Sequence, residues 1–559
     1  MSNENHPAQN HDVAPQAADN FGTLPYVAQS YAAPPQTAPN YGTWPQTVPV
    51  MPATVALPAK RIKTPFKPDI YDFCFALLTF ILGYICSRWV VFAWQGWGVA
   101  LFTALYLIST TAYFMIKGIF TNSRTVWFWF AVTCLIGISY ALFDNPGFSF
   151  VRSLFLFGAA MFYVILASGR TIMGNIGNYL LIDCLNAFIL IPFRNFLNQY
   201  ISFSVLRKGE KRGRFLPIII GVFIAIVLSV LLIPMLLRAD SGGFRMILRF
   251  FTDLFTIHFV DFLFYAFFAT PIAAYIYGSI SGSAHGRHTK TIMPESVVKK
   301  AAALKFVQPA TIFIILGTVC VLYMIFILSQ IPYFFSAFTG NRPDGWLIFS
   351  EYARQGFFEL CGIAAINLAI LIIVNVTSKK QRVESFLLKA FNIILALITL
   401  LLIATAFSKM ALYIDAYGLT MPRLLPCIFM IFLAIVFVAL IVLQKWEFSI
   451  VRMSLLTGAI MICVLCMSNP DALVVRYNLN RFLNGTLQEY DMEILHRAGK
   501  AGISPALDVF NKSDDKELRH EISKYLISQA IFIEEPHRSS LELLLAQEKL
   551  KNTISLMES

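Results

Sequence analysis

The amino-acid sequence predicts an all-α, polytopic membrane protein with about eleven transmembrane helices, and three observations support this prediction. The chain of 559 residues is 57% hydrophobic and only 14% charged, whereas a soluble protein is about 25% charged. Many apolar runs approach or exceed the roughly 20 residues that a helix needs to cross a bilayer. These runs are continuous and do not alternate with polar residues, which excludes a β-barrel.

The distribution of basic residues predicts how the chain is threaded. The predicted spans are residues 71–90, 97–116, 126–143, 151–168, 215–237, 252–278, 308–329, 356–376, 385–407, 424–443 and 448–468. With the N-terminus inside, 22 Lys and Arg residues lie in inner segments and 8 in outer loops. Because inner loops are enriched in Lys and Arg, the N-terminus is predicted to be cytoplasmic and the C-terminus extracytoplasmic.

One apolar segment, Asn178–Phe193, is short for a span and contains Asp183. Basic residues flank it on both sides, so it is interpreted as an interfacial or re-entrant helix on the inner face. If it crossed the membrane, every later loop would change sides and the charge asymmetry would be lost.

The regions outside the spans differ in composition. Residues 1–59 contain ten prolines and neither Lys nor Arg, and "NFGTLP" (Asn20–Pro25) recurs as "NYGTWP" (Asn40–Pro45). We interpret this region as a disordered tail, which is either a spacer or a linear motif for a protein partner. The membrane domain covers residues 60–468. Residues 469–559 have a helical pattern and predict a small extracytoplasmic cap, either a scaffold or a binding lid.

Several function classes find no support in the sequence. The net charge of +12 lies in short loops between spans, so we predict no nucleic-acid binding. No phosphate-binding glycine loop, metalloprotease motif or nucleophile elbow is present, so no catalytic residue is assigned and an enzymatic activity is left open but not favoured. The nine cysteines lack metal-ligand spacing, and neither metal nor cofactor is predicted. "GSISGSAHGRH" (Gly278–His288) is interpreted as a flexible loop.

Polar residues inside predicted spans are the first functional candidates. Asp253, His258 and Asp261 lie within about 140° of one helix face. Because intramembrane ionisable groups are costly, they could carry protons or hold a cation, or they could be structural, with Asp261 paired to an arginine. Three asparagines in later spans are predicted to form interhelical hydrogen bonds: Asn367, Asn375 and Asn392.

A second set of candidates lies at the predicted outer face. In "FSEYARQGFFEL", Glu351 and Arg354 are three residues apart and are expected to pair on a helix. Glu359 lies one or two turns deeper, where an unpaired carboxylate would favour its neutral form, so its partner must come from another segment. The remaining candidates lie in the segments that follow spans nine and eleven: Asp415, Tyr417, Arg423, Asp471, Tyr477, Asn478 and Arg481. Together they form either a pocket for a polar or anionic small molecule or a structural network.

Three motifs of this face carry a resemblance to a known family. "EYARQGFFEL", "LYIDAYGLTMPR" and "NPDALVVRYNLNRFLNG" occur in this order. They resemble a bacterial multi-pass membrane-protein family that is catalogued only as a domain of unknown function. The resemblance covers roughly residues 70–510, and Lys409 stands where an arginine is more usual. It implies a fold and no activity.

Two function hypotheses follow. The first is a transporter-like or ligand-binding membrane protein with an outward-facing polar site for an unidentified small molecule. The alternative is a membrane sensor or scaffold that acts through its tail and its cap. A membrane-embedded hydrolase or transferase ranks third, because the outer clusters contain neither His nor Cys.

Overall fold

The computed structural model describes residues 66–93, 96–172, 177, 179–206, 257–287, 289, 294–339, 349–379, 385–487, 490–530, 540–546 and 550, with scattered positions from 221 to 243. At 257–260, 294, 330–339 and 349–356 it describes the backbone and not the side chains. The predicted N-terminal tail lies outside the described residues. Within them the structure is helical, and it contains an isolated bridge between Val307 and Ser378 but no β-strand.

The first half of the chain forms eight helices among the described residues. They are α1 (Ile70–Ile85, continued by a π-helical turn, Cys86–Val91), α2 (Trp97–Ile116), α3 (Arg124–Leu142), α4 (Ser149–Ala167), α5 (Leu180–Leu185), α6 (Ile191–Arg194), α7 (Asn198–Ser202) and α8 (Ile257–Ala284). The second half continues with α9 (Pro294–Ala303), α10 (Pro309–Thr339), α11 (Phe349–Thr377), α12 (Phe386–Tyr417), α13 (Met421–Val442) and α14 (Ile450–Met467). The C-terminal region contains α15 (Pro470–Leu483), α16 (Met492–Ala498), α17 (Ile503–Lys512) and α18 (Lys516–Ala530).

The helices confirm a multi-pass membrane protein. In the described part of the chain, ten are long and apolar enough to cross a bilayer, and they coincide with ten of the eleven predicted spans. The other prediction, 215–237, is described only at scattered positions. The pair Leu180–Arg194 and Asn198–Val205 is bent by 48°, as in a broken span or a re-entrant loop. The interfacial or re-entrant interpretation of Asn178–Phe193 stays a prediction.

The glycine-rich segment Gly278–His288 is not the loop that its composition suggested, because α8 continues to Ala284. A Cβ on Gly278 would lie 2.5 Å from the carbonyl oxygen of Pro192, and one on Gly282 would lie 2.4 Å from the Nδ2 atom of Asn195. Glycine therefore serves close packing of two helices here, as small residues do in membrane proteins.

Helix α12 also exceeds its predicted length. We expected the span to end near residue 407, with Asp415 in an outer loop, but the helix continues to Tyr417. Only residues 418–420 separate it from α13. The additional turns lie beyond the apolar stretch and carry polar side chains. Hydropathy alone does not predict such turns to be helical.

The spans form two bundles with separate hydrophobic cores. The first bundle comprises α1–α8 and the second comprises α10–α13. Helix α14 packs against α3 of the first bundle and against α13 of the second. The buried residues of α14 belong to the first core: Ala459, Cys463, Leu465 and Cys466.

The predicted asparagine contacts are confirmed in the second bundle. The Tyr323 hydroxyl donates to Oδ1 of Asn367 at 2.7 Å, and Nδ2 of Asn367 donates to the Thr399 hydroxyl at 2.9 Å. Asn375 and Asn392 exchange amide hydrogen bonds of 3.3 and 3.1 Å. Three helices, α10, α11 and α12, are thus joined by neutral side chains whose donors and acceptors are matched.

The C-terminal region forms the predicted helical cap. Helices α15–α18 enclose a core that includes Val475, Leu495, Ile522 and Leu526, all of them fully buried. Leu419, from the α12–α13 corner, belongs to the same core. The cap is therefore packed onto the second bundle by apolar contacts.

Candidate functional site

The two outer arginines bind the end of α12. Nη1 of Arg423 donates to the carbonyl of Tyr417 at 2.9 Å and to that of Gly418. Nη1 of Arg481 donates to the carbonyl of Asp415 at 2.9 Å, and its Nη2 pairs with the carboxylate of the same residue at 2.9 Å. Because the last carbonyls of a helix lack intrahelical partners and carry partial negative charge, both arginines act as C-terminal caps.

Asn478 holds the same corner from α15. Its Oδ1 accepts a hydrogen bond from the Leu419 amide at 2.7 Å, and its Nδ2 donates to the Leu419 carbonyl at 2.6 Å. Gly418 adopts φ +77°, and a Cβ there would lie 2.6 Å from the Asn478 Oδ1 atom. The corner therefore requires glycine for its conformation and for its contact with Asn478. The rings of Tyr417 and Tyr477 remain exposed beside it.

Asp471 lies at a different corner, between α3 and α4. Its carboxylate accepts a hydrogen bond from the Gly147 amide at 3.1 Å, and its own amide donates to Oδ1 of Asn145 at 3.4 Å. Asp471 is 3% exposed, and burial raises its pKa to about 7. The outer candidates thus do not form one group around one cavity in the described structure.

A second, half-buried acid bonds Asn469, two residues before Asp471. Glu542 accepts a hydrogen bond from Nδ2 of Asn469 at 2.7 Å, and burial raises its pKa to about 7. The charge of Asp144 acts in the same direction on both carboxyls, and Arg152 and Arg476 oppose it. The α3–α4 corner is therefore where the cap meets the first bundle through acids that titrate near neutrality.

The charge of Glu359 acts on Lys409 of α12, and a partner for Glu359 from another segment stays a prediction. Glu359 itself is exposed. The side chains of Glu351 and Arg354 lie outside the described residues, so their expected pairing stays a prediction.

The intramembrane acids of the sixth span are described only in part. Asp253 and the side chain of His258 lie outside the described residues, and Asp261 is exposed at the start of the described span. A proton or cation role for this face stays a prediction.

A charged cluster that the sequence did not single out lies where α1 begins and α2 and α8 end. The carboxylate of Asp72 is fully buried, and its Oδ1 accepts a hydrogen bond from the Tyr113 hydroxyl at 2.5 Å. Lys117 Nζ lies 3.0 Å and His285 Nε2 lies 2.9 Å from the same oxygen. Lys117 also pairs with Asp69 at 2.7 Å. We call these five residues the Asp72 cluster.

Local sequence explains how the Asp72 cluster forms. Asp69 and Asp72 make a reciprocal capping box at the start of α1, with two backbone-to-carboxylate hydrogen bonds of 2.9 Å. Such a box satisfies amides that have no intrahelical partner. Lys117 is the C-terminal cap residue of α2, where a cation is favoured, and His285 directly follows α8. Three helix ends therefore bring complementary charges together.

A cavity of about 480 Å³ opens in the first bundle and is lined by the π-helical turn after α1 and by residues of α2, α3, α4, α6 and α8. No charged side chain is among its lining residues. Tyr106 and Ile276 line its deep part, whereas Val91, Phe157 and Phe193 are large exposed apolar residues at its edge. The π-helical turn after α1 contributes to the wall, and such turns are frequent at functional sites. The cavity has the size and apolar character of a small-molecule site.

One residue of the cavity wall has a hydroxyl that is buried away from the cavity space and lacks a partner. The Tyr106 side chain is 3% exposed, and its hydroxyl makes no hydrogen bond within the described structure. The hydroxyls of other lining residues are satisfied: Thr103 donates to the Val99 carbonyl at 2.8 Å, and Tyr140 bonds Ser153. An unsatisfied buried hydroxyl costs about 1–3 kcal/mol, so it calls for an explanation.

The comparison with protein families identifies the chain. A family model described as "Domain of unknown function (DUF4153)" matches residues 130–507, which is more than half of the chain. The chain belongs to this family. No curated protein and no solved structure matches it. The DUF4153 match confirms the resemblance to a domain of unknown function, and it carries no activity. It includes His285 and most of the cavity wall from α4 and α8, but neither Asp72 nor Tyr106.

Sequence reasoning missed the Asp72 cluster and Tyr106 for a physical reason. Asp72 lies in the first turn of a span, Lys117 at the end of the next, and His285 in a segment interpreted as a loop. Each alone is typical of a membrane interface. A signal was nevertheless present in α2, whose polar residues recur every three or four positions from Thr103 to Lys117.

Among the described residues, no side chains are arranged as a metal site or as a paired-thiol site. No group of three or more His, Cys, Asp or Glu side chains is placed to hold a metal ion among the described residues. All nine cysteines are free thiols. The features that remain for a DUF4153 protein of this sequence are the cavity, the Asp72 cluster and the acids under the cap.

Proposed function

We propose that this protein binds a lipophilic molecule from the bilayer in the cavity of its first bundle. The observation that carries the proposal is the apolar lining of a cavity of about 480 Å³ whose edge is formed by exposed apolar side chains. A lipophilic molecule would fill this space and bury a large apolar contact area without meeting a charged group.

The position of the cavity edge supports entry from the membrane. Val91, Phe157 and Phe193 lie on helices of the membrane domain and are 41%, 46% and 61% exposed. Phe157 and Phe193 both pack against the Tyr275 ring, with centroid distances of 6.2 and 5.6 Å. A lipophilic molecule can cross such an aromatic edge without leaving an apolar environment, whereas an anion would have to shed its hydration shell.

The proposed ligand site is the cavity of the first bundle and not a polar pocket at the outer face. The broader hypothesis of a ligand-binding membrane protein is unchanged. A polar outer pocket is supported less, because Arg423 and Arg481 already bind helix-end carbonyls. A transporter-like role remains part of the proposal, with the cavity as its binding site. The loop charges support a cytoplasmic N-terminus and an extracytoplasmic cap.

The test uses a photoactivatable long-chain probe, with the full-length protein in lipid nanodiscs. Labelling is expected on α2 and α4, next to Tyr106 and Ala160. Ala160→Phe places a ring in the cavity and should reduce the labelling severalfold. Leu154→Phe is the matched control, because Leu154 lies on the same helix and is 61% exposed. Equal labelling of both variants and the wild type would contradict the proposal.

A sensor or scaffold is the second candidate, favoured by the position of α15. This helix contacts the first bundle through Asp471 and Gly147 and the second through Asn478 and Leu419. A helix that bridges both bundles could report a change in one of them to a partner of the cap or of the tail.

Hydrogen–deuterium exchange separates this candidate from simple binding. A sensor predicts that the cavity probe changes amide exchange in α15–α18. Deletion of residues 1–59 should leave that change intact if the tail only recruits a partner. Identical exchange in the cap with and without bound probe would count against a sensor.

A further inference from the structure

The cavity of the first bundle differs from the surrounding lipid in the aromatic rings of its wall. Seven of its 19 lining residues are aromatic, and they come from α2, α3, α4, α6 and α8 and from the segment that follows α6. The acyl chains of a bilayer contain no ring. The cavity therefore offers a ligand a kind of contact that the bilayer does not.

Four of these rings form a connected group, which we call the aromatic wall: Phe157, Phe193, Phe196 and Tyr275. The rings of Phe193 and Phe196 are stacked at a centroid distance of 6.5 Å, and Phe193 meets Tyr275 edge-on at 5.6 Å. Phe157 stacks on the other side of this group, 6.2 Å from Tyr275. Because all four residues line the cavity, a ligand that enters at its edge meets several rings at once.

The hydroxyls of the lining tyrosines are not offered to a ligand. The Tyr275 hydroxyl donates to the Phe188 carbonyl at 2.9 Å, and the Tyr140 hydroxyl bonds that of Ser153. The Tyr106 hydroxyl is buried away from the cavity space. These residues therefore present ring carbons to the cavity, and a polar group placed among them would lose its hydration without gaining a partner.

We propose that the ligand of the cavity is a neutral lipophilic molecule with an aromatic ring, which the aromatic wall binds. This inference rests on the proposed function of the cavity and names the class of molecule that the site selects from the bilayer. A saturated ring of the same size would fit the same space, so the selection depends on attraction between rings.

Apolar area alone selects no ligand inside a membrane. A chain that leaves the bilayer for the cavity exchanges one apolar environment for another, because lipid tails are as apolar as the side chains that replace them. Aromatic rings differ, because the negative face of one ring attracts the positive edge of another at centroid distances of about 4.5–7 Å. A ligand ring beside Phe157 or Phe193 therefore gains an attraction that a saturated ring lacks.

A cation is also attracted to ring faces, but the cavity does not suit one. None of its lining residues is an acid, so a cation inside it would have no counter-ion among them. The cost of burying an unpaired charge far exceeds the attraction of a ring face. A neutral ring is therefore the better match.

Competition against the photoactivatable probe tests the assignment, with the full-length protein in nanodiscs. The competitors are decylnaphthalene and decyldecalin, which share a carbon skeleton and differ in whether the two fused rings are aromatic. Both are compared as mole fractions in the membrane. Half-displacement should need about fivefold less decylnaphthalene than decyldecalin, the effect of one aromatic ring pair.

Leucine variants of the aromatic wall separate ring attraction from apolar contact. Phe157→Leu and Phe193→Leu keep the wall apolar and should each reduce the preference, which should approach equality in the double variant. Both side chains are exposed, so the substitutions should leave the fold intact. Phe150→Leu is the matched control, because Phe150 lies on the same helix as Phe157, is 74% exposed and does not line the cavity. This variant should keep the full preference.

The outcomes separate this inference from the proposed function. Equal displacement by the two competitors in the wild type, or an unchanged preference in the double variant, would overturn the assignment while leaving the cavity as a binding site. Stronger displacement by decyltrimethylammonium than by decylnaphthalene would overturn the neutrality of the ligand. Labelling that Ala160→Phe does not reduce would overturn the proposed function, and with it this inference.

Discussion

The buried polar groups of the two bundles differ in charge and in hydrogen bonding. In the second bundle the polar side chains deep in the described spans are neutral, and Asn375 and Asn392 satisfy each other's amides. In the first bundle a buried carboxylate, Asp72, lies with an ammonium and an imidazole at one end. Two hydroxyls further along α2, those of Tyr106 and Thr110, have no partner within the described residues.

The matched polar groups of the second bundle hold helices together, whereas the charged and unmatched groups of the first bundle mark a candidate binding site. Matched neutral pairs join helices at low cost, because each donor has an acceptor in the folded state. Charges and unmatched hydroxyls lower stability unless something else compensates for them, and such groups concentrate where a protein binds or reacts. The first bundle is therefore where a ligand is expected, although the three motifs that suggested the family resemblance lie in the second bundle and the cap.

The largest expected effect is the removal of the central carboxylate. Asp72→Ala removes the acceptor shared by Tyr113, His285 and Lys117 and leaves Lys117 with the more exposed Asp69. Because Lys117 keeps one counter-ion, the expected cost lies toward the lower end of the range of about 3–5 kcal/mol for breaking a buried ion pair. Unfolding of the purified protein in detergent, followed by circular dichroism, should show a correspondingly lower free energy of unfolding. A variant as stable as the wild type would show that the Asp72 cluster does not hold the first bundle together.

The cap should depend on pH more than either bundle does. Asp471 and Glu542 have pKa values of about 7 in the folded protein, above their ordinary values of 3.8 and 4.5. Between about pH 4 and pH 7 the folded state therefore retains protons that the unfolded state has lost. Stability of the cap is highest below pH 4 and falls as pH rises through 7.

Amide exchange in α15–α18 measures this dependence. Protection at pH 5 should exceed protection at pH 8 by on the order of 2 kcal/mol, after correction for the intrinsic exchange rate. Asp471→Asn resembles the protonated form and should remove much of the difference. Protection that increases with pH would contradict the assignment.

A smaller effect is expected from the amide pair of the second bundle. Asn392→Leu leaves the Asn375 amide without its partner and should cost about 0.6–1.7 kcal/mol in unfolding experiments. Adding Asn375→Leu removes the unmatched group and should recover part of the loss. A double variant that loses the sum of both single effects would show that the two amides do not act as a pair.

The smallest effect is expected at the cavity. Tyr106→Phe removes a hydroxyl without a partner, so the free energy of unfolding should change by less than about 0.5 kcal/mol or rise. Tyr163→Phe removes a hydroxyl that bonds Thr111 and should lower it by about 1 kcal/mol. Equal losses in both variants would indicate that Tyr106 has a structural partner.

Much of the fold could be predicted because its determinants are local. Ten predicted spans coincide with helices, and the cap is helical as its pattern predicted. The exceptions are Gly278–Ala284 and the end of α12. Contacts from other elements support both helical segments: Asn195 packs on Gly282, and Arg481 caps the carbonyl of Asp415. Composition describes a residue and its neighbours in the chain, so it could not reveal these contacts.

The candidate site was less predictable. The outer motifs were recognised as polar clusters, but only their contacts show that Arg423 and Asn478 bind backbone groups. Glu359 was expected to need a partner from another segment, and the charge of Lys409 lies near it. Tyr106 was not considered, because a tyrosine within an apolar run carries no sign of whether its hydroxyl is satisfied.

The sequence by itself determined that this is a multi-pass helical membrane protein of the DUF4153 family, and where nearly all described spans lie. Hydrocarbon forces each spanning segment to satisfy its own backbone, so a run of apolar residues is sufficient evidence for a helix. Only the tertiary structure decided which polar groups are paired and where space remains. Asp72 meets His285 across 213 positions of the chain, and the cavity is lined by residues of α2, α3, α4, α6 and α8. Both therefore depend on packing that no single segment encodes.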